Sequence, residues 1–359
     1  IDIVNKLIES DFCFAKIKKI SRIKSNGEYV YDFSVKDDEN FVAGFGGLCC
    51  HNTRINATYT KDVTTRGPTF TARKFTSVPW TPIQLISMRT LSPEMLAYFW
   101  ILIEHKSNIL ISGSTASGKT TLLNALAFFI PPEARVVSIE ETREVNLPRE
   151  NWLPAVARTS IGIGKIGEVD LFSLLKASFR QTPDYLIVGE VRGKEAYVLF
   201  QGMASGHASL STIHADSVDT LIRRLQTPPI ELPPTLVNSL DCVVIATHAT
   251  VKKQETRRVR EIVEIINVNK DGTALINTPF VWDPGQDVFY FKKQSKVFEK
   301  ISVKKGTPID NLYKEFEIRV RLLYELYKQK IFSFDEVGRI INDYYKTPVI
   351  VLNKYNILG

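Results

Sequence analysis

Apolar residues are spaced in different ways along the chain, and the changes of spacing mark its organisation. From residue 91 to about 265, short unbroken apolar runs alternate with stretches of helical period. Ser92–Ile103 reads as a helix, Ser107–Ser112 as a buried strand, Thr120–Phe129 as a helix and Ala134–Ile139 as a second strand. Leu171–Arg180 reads as a helix and Tyr185–Val188 as a third strand. Strands alternating with helices predict an α/β fold with a mainly parallel sheet and helices on its faces.

Beyond about residue 290 the pattern is helical. Thr307, Pro308 and Asp310 supply an N-cap, a first-turn proline and an acidic third position, and an apolar stripe runs through Leu312, Phe316, Val320, Leu323 and Leu326. Ser333 and Glu336 have the spacing of a capping box for the next helix, which Pro348 is expected to stop. These stripes predict a small helical C-terminal region, 291–359, after a core over 91–290. The other end differs. Residues 1–52 carry short strand patterns at Phe14–Ile20 and Tyr29–Val35 around an Asn26-Gly27 turn, then an apolar stretch, Phe41–Cys50. Residues 53–90 are polar and Thr-rich with one extended segment, Thr69–Phe75, and read as the end of an N-terminal domain and a linker.

Composition bounds this picture without redirecting it. With 44% hydrophobic and 24% charged residues over 359 positions, the chain is of ordinary globular type and long enough for two or three domains. No apolar run is long enough to span a bilayer and the first eleven residues lack a signal-peptide layout, so a cytoplasmic location is expected. Four cysteines, Cys13, Cys49, Cys50 and Cys242, are too few and too scattered for a disulfide framework or a four-cysteine zinc site. A net charge of +7 permits contact with nucleic acid or an acidic membrane face and selects neither. The first residue is Ile rather than Met, which raises the expectation of a longer parent chain.

The sharpest chemical signal is Gly113-Ser114-Thr115-Ala116-Ser117-Gly118-Lys119-Thr120, followed by Thr121, which fits G-x-x-x-x-G-K-[ST] between a strand and a helix. Gly113 and Gly118 let the backbone wrap so that successive N–H groups face phosphate oxygens, and the helix beginning near Lys119 adds its positive end. Lys119 has the reach for the β- and γ-phosphates, and Thr120 offers a hydroxyl to Mg²⁺. ATP and Mg²⁺ are the expected ligands.

Carboxylates follow two strands. Glu140, first off the strand Arg135–Ile139 and ahead of Glu141 and Glu144, is placed to orient and deprotonate an attacking water. Asp184–Gly189 is a strand ending at Glu190, the arrangement that holds Mg²⁺ beside a phosphate loop, and Arg192 is free to pair with an acid or a phosphate. His207 and His214, seven residues apart, have two readings: each is a hydrogen-bonded core histidine, or the pair senses the γ-phosphate and carries movement across a subunit interface. No cysteine lies near them, which argues against zinc.

GSTASGKTT (113–121), SIEETRE (138–144), RQTPDYLIVGEVRGKEA (180–196) and GHASLSTIHA (206–215) together resemble the Walker A, Asp box, Walker B and His box of the archaeal branch of the secretion ATPases, which drive type II secretion, type IV pili and archaeal flagella. Arg66–Phe75 is similar to the end of that family's N-terminal domain. The resemblance covers 53–359 and implies a RecA-like P-loop core, a homo-hexamer and a membrane-embedded platform protein as partner. It also implies phosphate-reaching roles for Arg54, Arg66 and Arg73, a peripheral place at the cytoplasmic face, and no stable nucleic acid. Glu141 stands where the family's Asp box has Asp, and the bacterial four-cysteine motif is absent.

Residues 1–52 resemble the C-terminal part of an intein in Tyr29–Val35, Asn40–Gly44 and His51-Asn52-Thr53. That resemblance implies Asn52 attacking its own backbone carbonyl, His51 assisting and Thr53 accepting the upstream segment. Glu39 stands where many inteins have His, and the upstream intein half is not in the sequence. The leading functional expectation is an ATP-driven motor. A DNA-translocating ATPase is the alternative, for which the basic run Lys252, Lys253, Arg257, Arg258, Arg260 speaks, although such a run is usually a solvated strand or turn. An inactive truncated product is the third reading.

Overall fold

The computed structural model describes residues 78–158 and 167–357, and upstream of them the backbone of four strands: β1 (Asn40–Ala43), β2 (Leu48–His51), β3 (Thr53–Thr58) and β4 (Thr69–Lys74). The chain divides into two units, residues 1–77 and 78–359. In the first, β1 pairs antiparallel with β2, and β3 with β4. Strand β4 takes up most of the extended segment expected at Thr69–Phe75. The strand patterns at Phe14–Ile20 and Tyr29–Val35 and the Asn26-Gly27 turn lie outside the described residues.

In the second unit, β5 (Ile109–Gly113), β6 (Val136–Glu140), β7 (Trp152–Val156), β8 (Tyr185–Val188) and β9 (Ala208–Ile213) join β10 (Cys242–Val251), β11 (Gln254–Val268), β12 (Ala274–Asp283) and β13 (Val288–Phe291). They form a nine-stranded sheet ordered β13-β12-β11-β10-β5-β9-β8-β6-β7. From β10 to β7 every pairing is parallel, and β11, β12 and β13 extend the sheet antiparallel. Strands β5, β6, β8 and β9 are buried throughout, as strands covered on both faces must be. Strand β7 is the edge and holds Pro154, which an interior strand would not tolerate.

Strand periodicity divides the apolar residues into two cores. Ile109, Ile111, Tyr185 and Ile187 point into one, while Leu110, Leu186 and Val188 point into the other. The first core takes α1 (Pro82–Ser87), α2 (Pro93–Glu104) and α3 (Lys119–Ala127). The second is covered by α4 (Leu171–Ser178), α5 (Glu195–Ala204), α6 (Val218–Gln226) and α7 (Pro234–Val237). Helix α2 is capped by Ser92, whose hydroxyl accepts from Met95 N–H, and is buried along nearly all its length. Burial on that scale overrides its modest amphipathicity.

The tail forms α8 (Lys296–Lys305), α9 (Ile309–Lys328), α10 (Phe334–Lys346) and α11 (Pro348–Lys354), all packed on the first core. Of the expected stripe on α9, Leu312, Phe316, Leu323 and Leu326 are buried, and Val320 packs partly against the same core. Two capping expectations are corrected. Pro308 is extended (φ −53°, ψ 137°) and sits at the N-cap itself, so the helix starts one residue later than Thr307-Pro308 predicted. Ser333 is at the N-cap of α10, but its hydroxyl makes no cap bond, so no capping box with Glu336 closes. Pro348 does follow the end of α10, yet it also opens α11 from a first-turn position, where its missing N–H costs nothing.

Candidate active site

The parallel strands end on one side of the sheet, and the phosphate-loop residues, Glu140, Glu190, Arg192 and His214 gather there. Gly113 closes β5 and Gly118 turns the chain into α3. A side chain at Gly113 would press to within 2.3 Å of the Ala246 carbonyl oxygen on β10, so only glycine fits. Gly118 is left-handed at φ +93°, which also favours glycine. Ser114, Thr115, Ala116 and Ser117 span the turn between them, and the buried Ser117 hydroxyl has no hydrogen-bond partner. Thr120 and Thr121 lie half-buried in the first turn of α3.

Lys119 is buried, and its ammonium bends back on the loop. It donates to the carbonyls of Gly113 (3.1 Å) and Ser114 (2.9 Å) and lies 3.3 Å from His214 Nδ1. An ammonium has no lone pair to offer, so Nδ1 accepts and the imidazole proton sits on Nε2. Burial, reinforced by the charge of Lys119, pushes the His214 pKa below its ordinary value and keeps the ring neutral near pH 7. Its Nε2 lies 3.0 Å from Glu190 Oε1, outside hydrogen-bonding alignment, so that oxygen lacks a donor.

Glu190 is half-buried just past β8. Burial works to raise its carboxyl, but the Arg192 hydrogen bond and charge, with His214 and Lys119, outweigh it and hold the pKa below the usual range. Arg192 Nη2 donates to Glu190 Oε2 at 2.6 Å, and its Nη1 is 3.6 Å from Glu141 Oε2. Two bonds fix this edge of the sheet. Thr212 Oγ1 donates to the Gly189 carbonyl at 2.7 Å, and Ser112 Oγ to the Ala215 carbonyl at 2.6 Å.

Glu140, at the end of β6, is 3% exposed. Its Oε1 accepts from the N–H groups of Glu144 (2.9 Å) and Val145 (3.0 Å), while its buried Oε2 has no partner. Burial pushes its carboxyl up to about 7. Gly189 now has a physical reason: a Cβ there would sit 3.0 Å from Glu140 Cγ, so the side chain absent at 189 is the space Glu140 occupies.

Two contributors escaped the sequence reading. Asn124 on α3 donates to the carbonyls of Thr120 and Glu144 and accepts from Asn146 N–H, tying the phosphate-loop helix to the loop that holds Glu140. Arg257 on β11 donates through Nε to the Ala116 carbonyl at 2.9 Å. The basic run is largely absorbed by the fold. Arg258 is buried in a bidentate pair with Asp287, Arg260 pairs with Glu261, and Lys252 and Lys253 form the β10–β11 turn with left-handed φ of 50° and 67°.

His207 stands apart. It precedes β9 and His214 follows it, so six strand residues and about 20 Å separate the two rings. His207 instead packs against Phe179, ring centroids 5.0 Å apart, in a recess with Gln201, Gly202, Ser205 and Leu236. In the first unit, Arg54 on β3 faces Arg73 on β4 in the ladder register. His51 ends β2 and Thr53 begins β3, while Asn52 and Arg66 lie outside the described residues.

A mostly parallel sheet with a phosphate-type loop after one strand and carboxylates after two others is the α/β arrangement of RecA-like P-loop proteins. A Type II/IV secretion system protein family model matches residues 60–281. The chain belongs to that family. It is similar to the uncharacterized protein MJ1287 of Methanocaldococcus jannaschii, 41% identical over 264 residues that cover 73% of this chain and 97% of that one. It is also similar to the type IV secretion system protein PtlH of Bordetella pertussis, 37% identical over 166 residues, or 43% of this chain and 49% of PtlH; it thus spans about half of that relative. Among solved structures it aligns with the VirB11 ATPase of the Brucella suis type IV secretion system at 25% identity and a TM-score of 0.40, over 55% of this chain and 66% of that one. No described helix is long and apolar enough to cross a membrane.

Proposed function

We propose that the chain is the motor ATPase of a secretion, pilus or archaeal flagellum assembly system, binding ATP with Mg²⁺ and hydrolysing it. The observation that carries this reading is the convergence at one sheet edge of the glycine-framed loop, Lys119, the His214–Glu190–Arg192 string and the buried Glu140. Three side-chain oxygens there, on Ser117, Glu140 and Glu190, are buried without hydrogen-bond partners, which suits a site completed by a polar ligand.

Each residue has a task in that reading. Lys119 exchanges two loop carbonyls and His214 for phosphate oxygens when the nucleotide binds, and the N–H groups at the start of α3 add to the grip. The Thr120 hydroxyl and Glu190 would hold the Mg²⁺ that accompanies the nucleotide, which would supply neutralising charge to its phosphates. Glu140, poised near neutrality by burial, takes the proton of the attacking water through Oε2. His214, neutral and in reach of Lys119, reports the lysine's release to Glu190 and Arg192.

The homo-hexamer, the membrane-embedded platform protein, the peripheral cytoplasmic location and the phosphate-reaching roles of Arg54, Arg66 and Arg73 are proposed from family membership; similarity to an archaeal protein supports the archaeal branch. The rival DNA-translocase reading loses its main support, since Arg257, Arg258 and Arg260 have internal partners. Lys119→Ala against wild type tests the core claim. Mg²⁺-dependent binding of a fluorescent ATP analogue should weaken at least about ten-fold, since a charge-assisted hydrogen bond to phosphate is lost. Equal affinities in the two proteins, or none in wild type, would leave the inert-product reading standing.

A further inference from the structure

We propose that Arg257 is a positioning residue of the phosphate loop, holding the Ala116 peptide in its left-handed conformation and so setting ATP affinity. This rests on the ATPase reading above. The arginine belongs to none of the four sequence motifs and comes from a different part of the sheet.

The topology explains how it arrives there. Strand β10 pairs with β5 up to the Ala246–Gly113 step, then runs on past the end of β5. Its partner β11 returns beside that overhang, with Arg257 opposite His248. The hairpin therefore carries Arg257 beyond the sheet to the outer side of the loop. Its stem lies against the turn into α3, with Cδ 3.2 Å from where a Gly118 side chain would begin. Its Nε–H donates to the Ala116 carbonyl at 2.9 Å.

Ala116 is the loop's weak point. It has φ +62° without being glycine, a conformation that crowds the Cβ of an L-residue against its own carbonyl. Something must hold it there, and the bond from Arg257 is made to that residue's own carbonyl. In a trans peptide the carbonyl and the next N–H point opposite ways, so fixing the Ala116 oxygen outward fixes the Ser117 N–H inward. That N–H faces the Ser114 carbonyl at 3.4 Å, a long bond readily given up to a phosphate oxygen. Arg257 thus pre-arranges a donor that the ligand uses, and pre-arrangement is read as affinity.

The test compares wild type, Arg257→Met, Ala116→Gly and the double variant, measuring thermal unfolding, KM for Mg·ATP and kcat. Arg257 is exposed, so its loss should leave the unfolding temperature unchanged. Losing a charged donor to a backbone carbonyl at an exposed site should raise KM by about ten-fold, with kcat at saturation within about two-fold. Glycine takes up the left-handed conformation freely, so in the Ala116→Gly background the further change Arg257→Met should raise KM much less than it does in wild type. An unchanged KM in Arg257→Met overturns the proposal, as does an Arg257→Met effect on KM that is just as large in the Ala116→Gly background. Wild type that binds no Mg·ATP brings down the ATPase reading, and this proposal with it.

Discussion

Glu140→Gln separates the cost of burying a charge from its use. The wild-type carboxyl is 3% exposed with one oxygen unpartnered, and burial moves its pKa from an ordinary 4.5 to about 7. At about 1.4 kcal/mol per pH unit, that difference amounts to about 3 kcal/mol carried against folding once the group is ionised. The sign follows from proton counting. Between about pH 4.5 and 7 the folded protein holds a proton that the unfolded chain has released, so wild-type stability falls as pH rises through that window and then levels off. Glutamine has the same shape, keeps an oxygen for the N–H groups of Glu144 and Val145, and never ionises. Its amide N–H₂ lacks an acceptor in that pocket, which takes back about 1 kcal/mol. Urea unfolding should therefore find the variant about 1–3 kcal/mol more stable than wild type at pH 8.5, with the gap closing towards pH 4.5. Activity should move the opposite way. Wild-type kcat should rise with pH through about 7, and the variant should lose about a hundred-fold or more at every pH. A gap that does not change with pH, or a variant less stable than wild type at pH 8.5, would refute the reasoning.

Two further predictions concern the neighbouring residue and residues 1–52. Gly189→Ala puts a methyl 3.0 Å from Glu140 Cγ, and Glu140 is held on its other side by two backbone bonds; kcat should fall at least about ten-fold with a stability loss of about 1–2 kcal/mol, both read against Ser205→Ala as a remote control. For residues 1–52 we propose the C-terminal part of an intein, supported by the His51-Asn52-Thr53 sequence, that is either cleaved between Asn52 and Thr53 or retained as a remnant; intact mass of the purified chain decides, and a full-length mass in wild type as in the Asn52→Ala control would reject cleavage.

The core was legible because its two signals are local. Ile109–Ser112, Val136–Ile139 and Tyr185–Val188 are apolar at every or nearly every position, which a strand covered on both faces demands, and the intervening stretches carry helical period. The helix starts at Thr307-Pro308 and Ser333 were displaced or left uncapped because a cap depends on one residue's backbone angles, which the packing of α9 and α10 on the core decides. The antiparallel strands from β11 to β13 went unread for another reason. Strand β11 is buried in patches, with charged residues such as Arg258 and Glu264 inside, and its interior arginine is neutralised by Asp287 from beyond the next strand. A pair so far apart in sequence leaves no periodic trace.

The site divides along the same line. Residues fixed by the backbone next to them were readable: Gly118 and Lys119 from the loop pattern, Glu140 and Glu190 from their places after strands. Residues whose part depends on a distant partner were not. His207 and His214 look equivalent in sequence, yet one strand of six residues puts them at opposite ends of the sheet, and only His214 reaches Lys119. Arg257 looked like one charge in a solvated run, although it meets the phosphate loop 141 positions earlier in the chain. Both facts follow from which strand lies beside β5, with β9 on one side delivering His214 and β10 on the other leading to Arg257. The two strands flanking the loop thus grip it from opposite sides, one through the lysine and one through the Ala116 carbonyl, and a ligand that draws Lys119 inward releases only the first of these holds.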